Sequence, residues 1–183
     1  MSNMNIEITN VLLCSPETIK SNNMLDCNVD DSMISSVIYT AQNVYLRDIL
    51  GDKLVTKLQT LVYNSINNIE DNINDANNTV FKALLDTFVK DVITYKVLSD
   101  LVVLNTLKIK NAGVVQLSDT NISTVSLNDL KYLKDYFDTY FNSALNRMTD
   151  YINNNKDTFK NYTHIGCECE DNKKYGNIGI WLG

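Results

Sequence analysis

Apolar residues recur along this chain at three- and four-residue steps over long stretches, the spacing that lines one face of a helix. The first stretch follows Asp30 and Asp31, either of which can cap it, and runs through Met33, Ile34, Val37, Ile38, Ala41, Val44, Tyr45 and Ile49. Gly51 should end or bend it. A second helix starts at Asp52, with Leu54, Val55, Leu58, Leu61 and Val62 apolar, and fades into an asparagine-rich run to Asn78 that reads as a loop. The strongest pattern extends from Thr79 to about Lys108, its apolar arc widening from Phe81, Leu84, Leu85 and Phe88 to Leu101, Val102 and Leu104. An arc of that width places the second half of the helix between two neighbours, at the centre of the domain. At about 1.5 Å per residue this helix reaches roughly 45 Å.

Asn111-Ala112-Gly113 supplies a C-terminal stop, with Gly113 free to take the left-handed conformation. Val114, Val115 and Leu117 form a short extended piece beyond it. Ser126 opens the next helix, with Asp129 as its capping-box partner. The expected buried stripe of that helix is Leu130, Leu133, Phe137, Tyr140, Phe141, Ala144, Leu145, Met148 and Ile152, and Asn153-Asn154-Asn155 ends it. These elements predict an all-α fold: a compact bundle of four or so helices, two of them long, with a short extended loop and an extended C-terminal tail. Residues 1–162 form one helical domain whose first thirty residues are irregular, apart from a turn or short helix at Ser15-Pro16-Glu17. Residues 163–183 form the tail. At 183 residues the chain can bury roughly 70% of its unfolded surface in a single core.

The tail carries the chain's only Trp within Ile178-Gly179-Ile180-Trp181-Leu182-Gly183. Chain ends are ordinarily frayed and polar, so an apolar end implies cover from a partner surface or from its own domain. If extended, it directs Ile178, Ile180 and Leu182 to one side and Trp181 to the other, which suits strand addition or insertion into a groove. Burying those four side chains yields about 6 to 10 kcal/mol gross, and ordering the backbone costs about 1 to 2 kcal/mol per residue. One tail therefore binds modestly, whereas many tails on a ring bind firmly through effective concentration.

Composition narrows the function classes. Hydrophobic content of 44% and charged content of 21% are those of a globular domain, and the asparagine excess reads as compositional. A net charge of −6 argues against tight nucleic-acid binding and is compatible with DNA passing by without sticking. No run of about 18 apolar residues predicts a membrane span, and the start resembles no signal peptide. The four cysteines are expected as thiols in a reducing compartment.

Candidate chemistry is sparse. His164, Cys167, Glu168 and Cys169 are the one cluster with metal-ligand character, but the spacing of a structural zinc site is missing, so no metal is expected. No phosphate cradle, nucleophile elbow or His-Glu-x-x-His is present. The expectation is a non-enzyme without catalytic residues or cofactors. Tyr132, Tyr136 and Tyr140 recur every fourth residue; the favoured reading is the edge of the core, the alternative a neighbouring subunit. Lys108 and Lys110 sit where they complement a helix dipole rather than bind nucleic acid.

Several strings resemble the head-tail connector (adaptor) proteins of tailed bacteriophages, with the closest look to the ring proteins of crAss-like phages. They are Ile38-Tyr39-Thr40-Ala41-Gln42 leading into Tyr45-Leu46-Arg47-Asp48-Ile49-Leu50-Gly51, then Lys110-Asn111-Ala112-Gly113-Val114-Val115, and Tyr136 to Asn155 followed by Phe159. The resemblance implies a virion protein at the portal-tail junction, a homo-oligomer forming a ring of twelve copies around the DNA channel. Its partners would be the portal protein and tail or other ring proteins. It further implies that loops and termini make the contacts: Val114, Val115 and Leu117 toward a subunit or the portal, and Tyr175, Ile178, Ile180, Trp181 and Leu182 as the docking tail. The competing expectations are a small phage-encoded helical regulator that binds a host protein and a metal-dependent enzyme built on the Cys167 region.

Overall fold

The computed structural model describes residues 8–21, 29–110, 113–116 and 126–162, with 105–110 and 113–116 described through the backbone alone. The N-terminal arm, residues 8–21, ends in a short helix α1, Pro16–Ser21. Helix α2 runs as α-helix over Asp31–Thr40, widens to a π-helix over Ala41–Leu46 and returns to α-helix over Arg47–Leu50. Asp30 caps it, accepting 3.0 Å from the Ser32 amide and 2.7 Å from the Ser32 hydroxyl. Gly51, at φ 83° and ψ 154°, turns the chain into α3, Asp52–Ile66, a conformation that would strain any residue with a Cβ.

Helix α4 comprises Thr79–Ala83, a π-helical stretch Leu84–Val89, and Lys90–Thr106. Its second half buries Val92, Ile93, Val97, Leu98 and Leu101 between α2 and the arm on one side and α5, Leu127–Asn154, on the other. That is the central position its wide apolar arc predicts. Ser126 caps α5 as expected, accepting 3.2 Å from the Asp129 amide while its hydroxyl donates 2.7 Å to the Asp129 carboxylate. A final turn, α6, Lys156–Phe159, delivers Phe159 fully buried against Phe81 at 5.5 Å between ring centroids. Helices thus build most of the core, the fold class the periodicity predicts, with Leu13, Cys14 and Ile73 added from non-helical segments.

One helix end is corrected. The long helix stops at Thr106 instead of Lys108, and Leu107–Lys110 pairs antiparallel with Gly113–Gln116 as strands β1 and β2. Gly113 therefore begins a strand instead of capping a helix. The β-branched Ile109, Val114 and Val115 favour the pleated backbone, and the ladder supplies the hydrogen bonds that a helical ending would have left open.

The asparagine run from Asn67 is the expected loop, closed by one 3-10 turn at Ala76–Asn78, and its asparagines do structural work. Asn64, buried at the end of α3, donates to the carbonyls of Glu70 (3.3 Å) and Asp71 (2.9 Å). Asn78 donates to the Asp71 carboxylate (2.8 Å) and the Asn72 carbonyl (2.9 Å). Asn68 and Asp71 take positive φ, 54° and 52°, which short polar side chains tolerate. This scaffold holds Ile73 in the core.

The arm is fastened by side chains. Gln42 accepts 2.9 Å from the Leu13 amide and donates 2.8 Å to the Val11 carbonyl. Gln59 donates to the carbonyls of Thr9 (3.1 Å) and Val11 (3.2 Å) and accepts 2.8 Å from Arg47. The Arg47 guanidinium also reaches Asn43 (3.0 Å) and Asp52 (2.8 Å). Gln42 points inward because the π-helical turn widens the step: Ile38, Gln42, Leu46 and Leu50 are all buried at four-residue intervals.

Candidate functional site

Helices α4 and α5 lie antiparallel, and their contacts follow one register from end to end. Tyr151 stacks on Phe88 at 4.6 Å and donates 3.2 Å to the Val80 carbonyl; Arg147 meets Asp91 at 3.2 Å; Tyr140 stacks on Tyr95 at 5.3 Å; Ser99 donates 2.6 Å to Asp138. At one end the pair is closed by Phe81, Phe159 and Tyr162.

The opposite end, beside the β1–β2 hairpin, is open. Here α5 exposes Leu127 (68%), Tyr132 (75%), Leu133 (42%), Tyr136 and Tyr140, and the end of α4 exposes Val103 and Leu104. The stripe expected to be buried is therefore buried only from Phe137 onward, at Phe137, Ala144, Met148 and Ile152. Leu133 and Tyr140 are corrected to exposed positions: no described element covers Leu133 in the second turn of α5, and Tyr140 is covered by Tyr95 on one side of its ring only. Single exposed apolar residues are ordinary; here Tyr132, Tyr136 and Tyr140 recur about one turn apart, with the Tyr136 and Tyr140 ring centroids at 4.7 Å, whereas Leu127, nine residues before Tyr136, projects from the other side of α5.

Two of the charged groups beside this face, Asp138 and Lys96, are paired within the chain. Burial raises the Asp138 carboxyl, but the bonds from Lys134 and Ser99 outweigh it and hold the group below its ordinary range. Burial likewise lowers Lys96, and the 2.7 Å bond to Asp100 more than restores its charge, leaving its pKa raised. The Lys96 ammonium lies 3.9 Å from the Tyr45 ring centroid, a cation–π contact at the edge of the face. Tyr136 donates 3.3 Å to the Tyr140 hydroxyl, and that bond raises the Tyr136 pKa.

Val114 and Val115 stand on β2 opposite Ile109 and Lys108, in the hairpin beside this face. Leu117 and the tail residues Tyr175, Ile178, Ile180, Trp181 and Leu182 lie outside the described residues, as do His164, Cys167 and Cys169. Of the tyrosine row, Tyr140 edges the core on Tyr95 as favoured, whereas Tyr132 stands clear of it. Among the described residues no group of three or more His, Cys, Asp or Glu converges, and no helix is long and apolar enough to cross a membrane. A cleft of about 320 Å³ beside the arm, with Leu12, Leu13, Val62, Ile73 and Leu85 in its wall, has Asp86 and Lys90 as its charged groups, and they bond each other at 2.6 Å.

Sequence reasoning passed over Gln42, Gln59, Ser99 and Asp138. The signal for the glutamines was present: Gln42 falls between Ile38 and Leu46, and Gln59 between Val55 and Val62, on otherwise apolar faces.

Fold and surface together define a helical domain with one small hairpin and, among the described residues, exposed aromatic side chains at one end of its longest helix pair. Residues 46–172 match a family of unknown function, DUF6712, and the chain belongs to that family. No curated protein and no solved structure matches it.

Proposed function

We propose that this protein is a structural subunit of a ring that connects the portal vertex of a tailed-phage capsid to the tail and surrounds the DNA channel. The observation that carries the reading is the exposed apolar side of α5 at Tyr132, Leu133 and Tyr136, with Val103 and Leu104 exposed at the end of α4. A ring needs a heterologous contact in which one patch meets a different patch on the next copy. Other exposed apolar positions, Tyr39 and Val44 on α2, Ile66 at the end of α3 and Ile69 just beyond it, offer the second patch. A net charge of −6 would let DNA slide through the channel, since phosphate binding depends on lysine and arginine. The resemblance to adaptor proteins at residues 38–51, 110–115 and 136–159 supports the same reading.

In this function the chain performs no bond chemistry; the fold contributes rigid helices, and the face, hairpin and tail supply attachment to copies and to the portal. The test is mass measurement of the purified protein with and without portal protein, followed by electron microscopy of virions. Closed rings at the portal-tail junction are expected. A stable monomer that captures one host protein would instead establish the regulator.

A further inference from the structure

The slot that holds the N-terminal arm reads main chain rather than side chains. Gln42 and Gln59, both fully buried, take the carbonyls of Thr9 and Val11 and the amide of Leu13, every second residue of one segment. Ile8, Leu13, Cys14 and Ile19 then fill the core from the arm. An empty slot would strand two buried amides and open that core, so some strand must occupy it.

The connection between arm and body is generous. Seven residues, 22–28, join Ser21 to Val29 and can reach roughly 28 Å when extended. Yet Lys20 and Asp31, just outside the two ends, form an ion pair at 2.6 Å. A segment of that length allows the same arm to fill the slot of a neighbouring molecule wherever that slot lies within roughly 28 Å.

We propose that, on assembly, the arm is exchanged: residues 8–21 of one copy occupy the slot of the adjacent copy. The occupant is a second copy of this chain, because its arm is the segment whose main-chain and side-chain fit the slot already displays. Exchange keeps the contacts and changes only the path of the connecting segment, which is why it is an inexpensive route to oligomers. In an open row of subunits one slot stays empty and one arm stays unplaced; closing the row into a ring fills both. Arm exchange thus favours closure over open filaments. It rests on the self-association in the proposed function and extends it with a specific tether.

The ion pair provides a test on the unaltered protein. Isotopically light and heavy full-length chains are mixed equally, unfolded, refolded together and assembled, and the Lys20–Asp31 pair is fixed with a zero-length carbodiimide cross-link. Random exchange makes about half of the linked peptides mixed in label. Cross-links that are all single-label in assembled protein overturn exchange while leaving the ring intact. A protein that remains monomeric at every concentration overturns both readings. A second measurement uses Thr94→Cys in a background with Cys27→Ser, Cys167→Ser and Cys169→Ser, because the buried Thr94 hydroxyl neighbours the Cys14 thiol without reaching conventional hydrogen-bond geometry. Mild oxidation of the assembly should give covalent multimers that disappear when Cys14→Ser is added. Closure within single chains, or no linkage, contradicts the proposal.

Discussion

Replacing Tyr132 and Leu133 together by serine separates the fold from its assembly. Both side chains lie on the open face, 75% and 42% exposed, so the monomer loses little packing when they are shortened. In a subunit contact the remaining exposed portions become buried. Scaling about 2 kcal/mol for full burial of each side chain by those exposures gives about 1.5 kcal/mol for Tyr132 and about 0.8 for Leu133. At about 1.4 kcal/mol per tenfold, each contact weakens roughly forty-fold. Sedimentation equilibrium over a concentration series measures that change directly, and thermal unfolding of the dilute monomer checks the fold. The expected result is a large shift toward monomer with an unfolding midpoint within about 1 to 2 °C of the parent. Undiminished association would show that the face is not the contact, and a strongly lowered midpoint would show that these residues serve the core.

Phe159→Ala removes a fully buried ring from its edge contact with Phe81 and should cost about 3 to 5 kcal/mol, lowering the midpoint on the order of 10 °C by calorimetry. Ser126→Ala deletes the α5 cap and should cost about 1 kcal/mol in urea unfolding, with restoration by Ser126→Asp. Asp138 titrates below its ordinary 3.8 in the folded chain, so its stabilisation is present above that value and drains as pH falls toward the folded pKa. An Asp138→Asn variant should therefore lose less stability than the parent between about pH 5 and pH 3. Gln59→Leu leaves the Thr9 carbonyl and an Arg47 N–H without this partner, and limited proteolysis should cut within the arm much faster than in the parent.

Cys14 illustrates how far composition reaches. Four cysteines in one chain left its role open, and only its burial, which raises the thiol pKa, marks it as a core residue of the arm. The asparagines teach the same lesson more strongly. Counted, they read as filler; placed at Asn64 and Asn78, they hold a loop, Asn64 through two carbonyls and Asn78 through a carbonyl and the Asp71 carboxylate.

Helix spans, the caps at Asp30 and Ser126, the break at Gly51 and the central burial of α4 were legible in the sequence by itself, because periodicity and capping act within a few residues of the chain. Which part of an apolar stripe becomes core was decided only by tertiary structure. Leu133 and Phe137 carry the same periodic signal, yet one is exposed and the other buried, since burial depends on what another part of the chain brings alongside. The inward glutamines depend likewise on an arm some thirty to fifty residues away, and the switch from helix to strand at Leu107 depends on pairing with Gly113–Gln116. Local pattern chose the elements; long-range contact chose which of their faces would be covered.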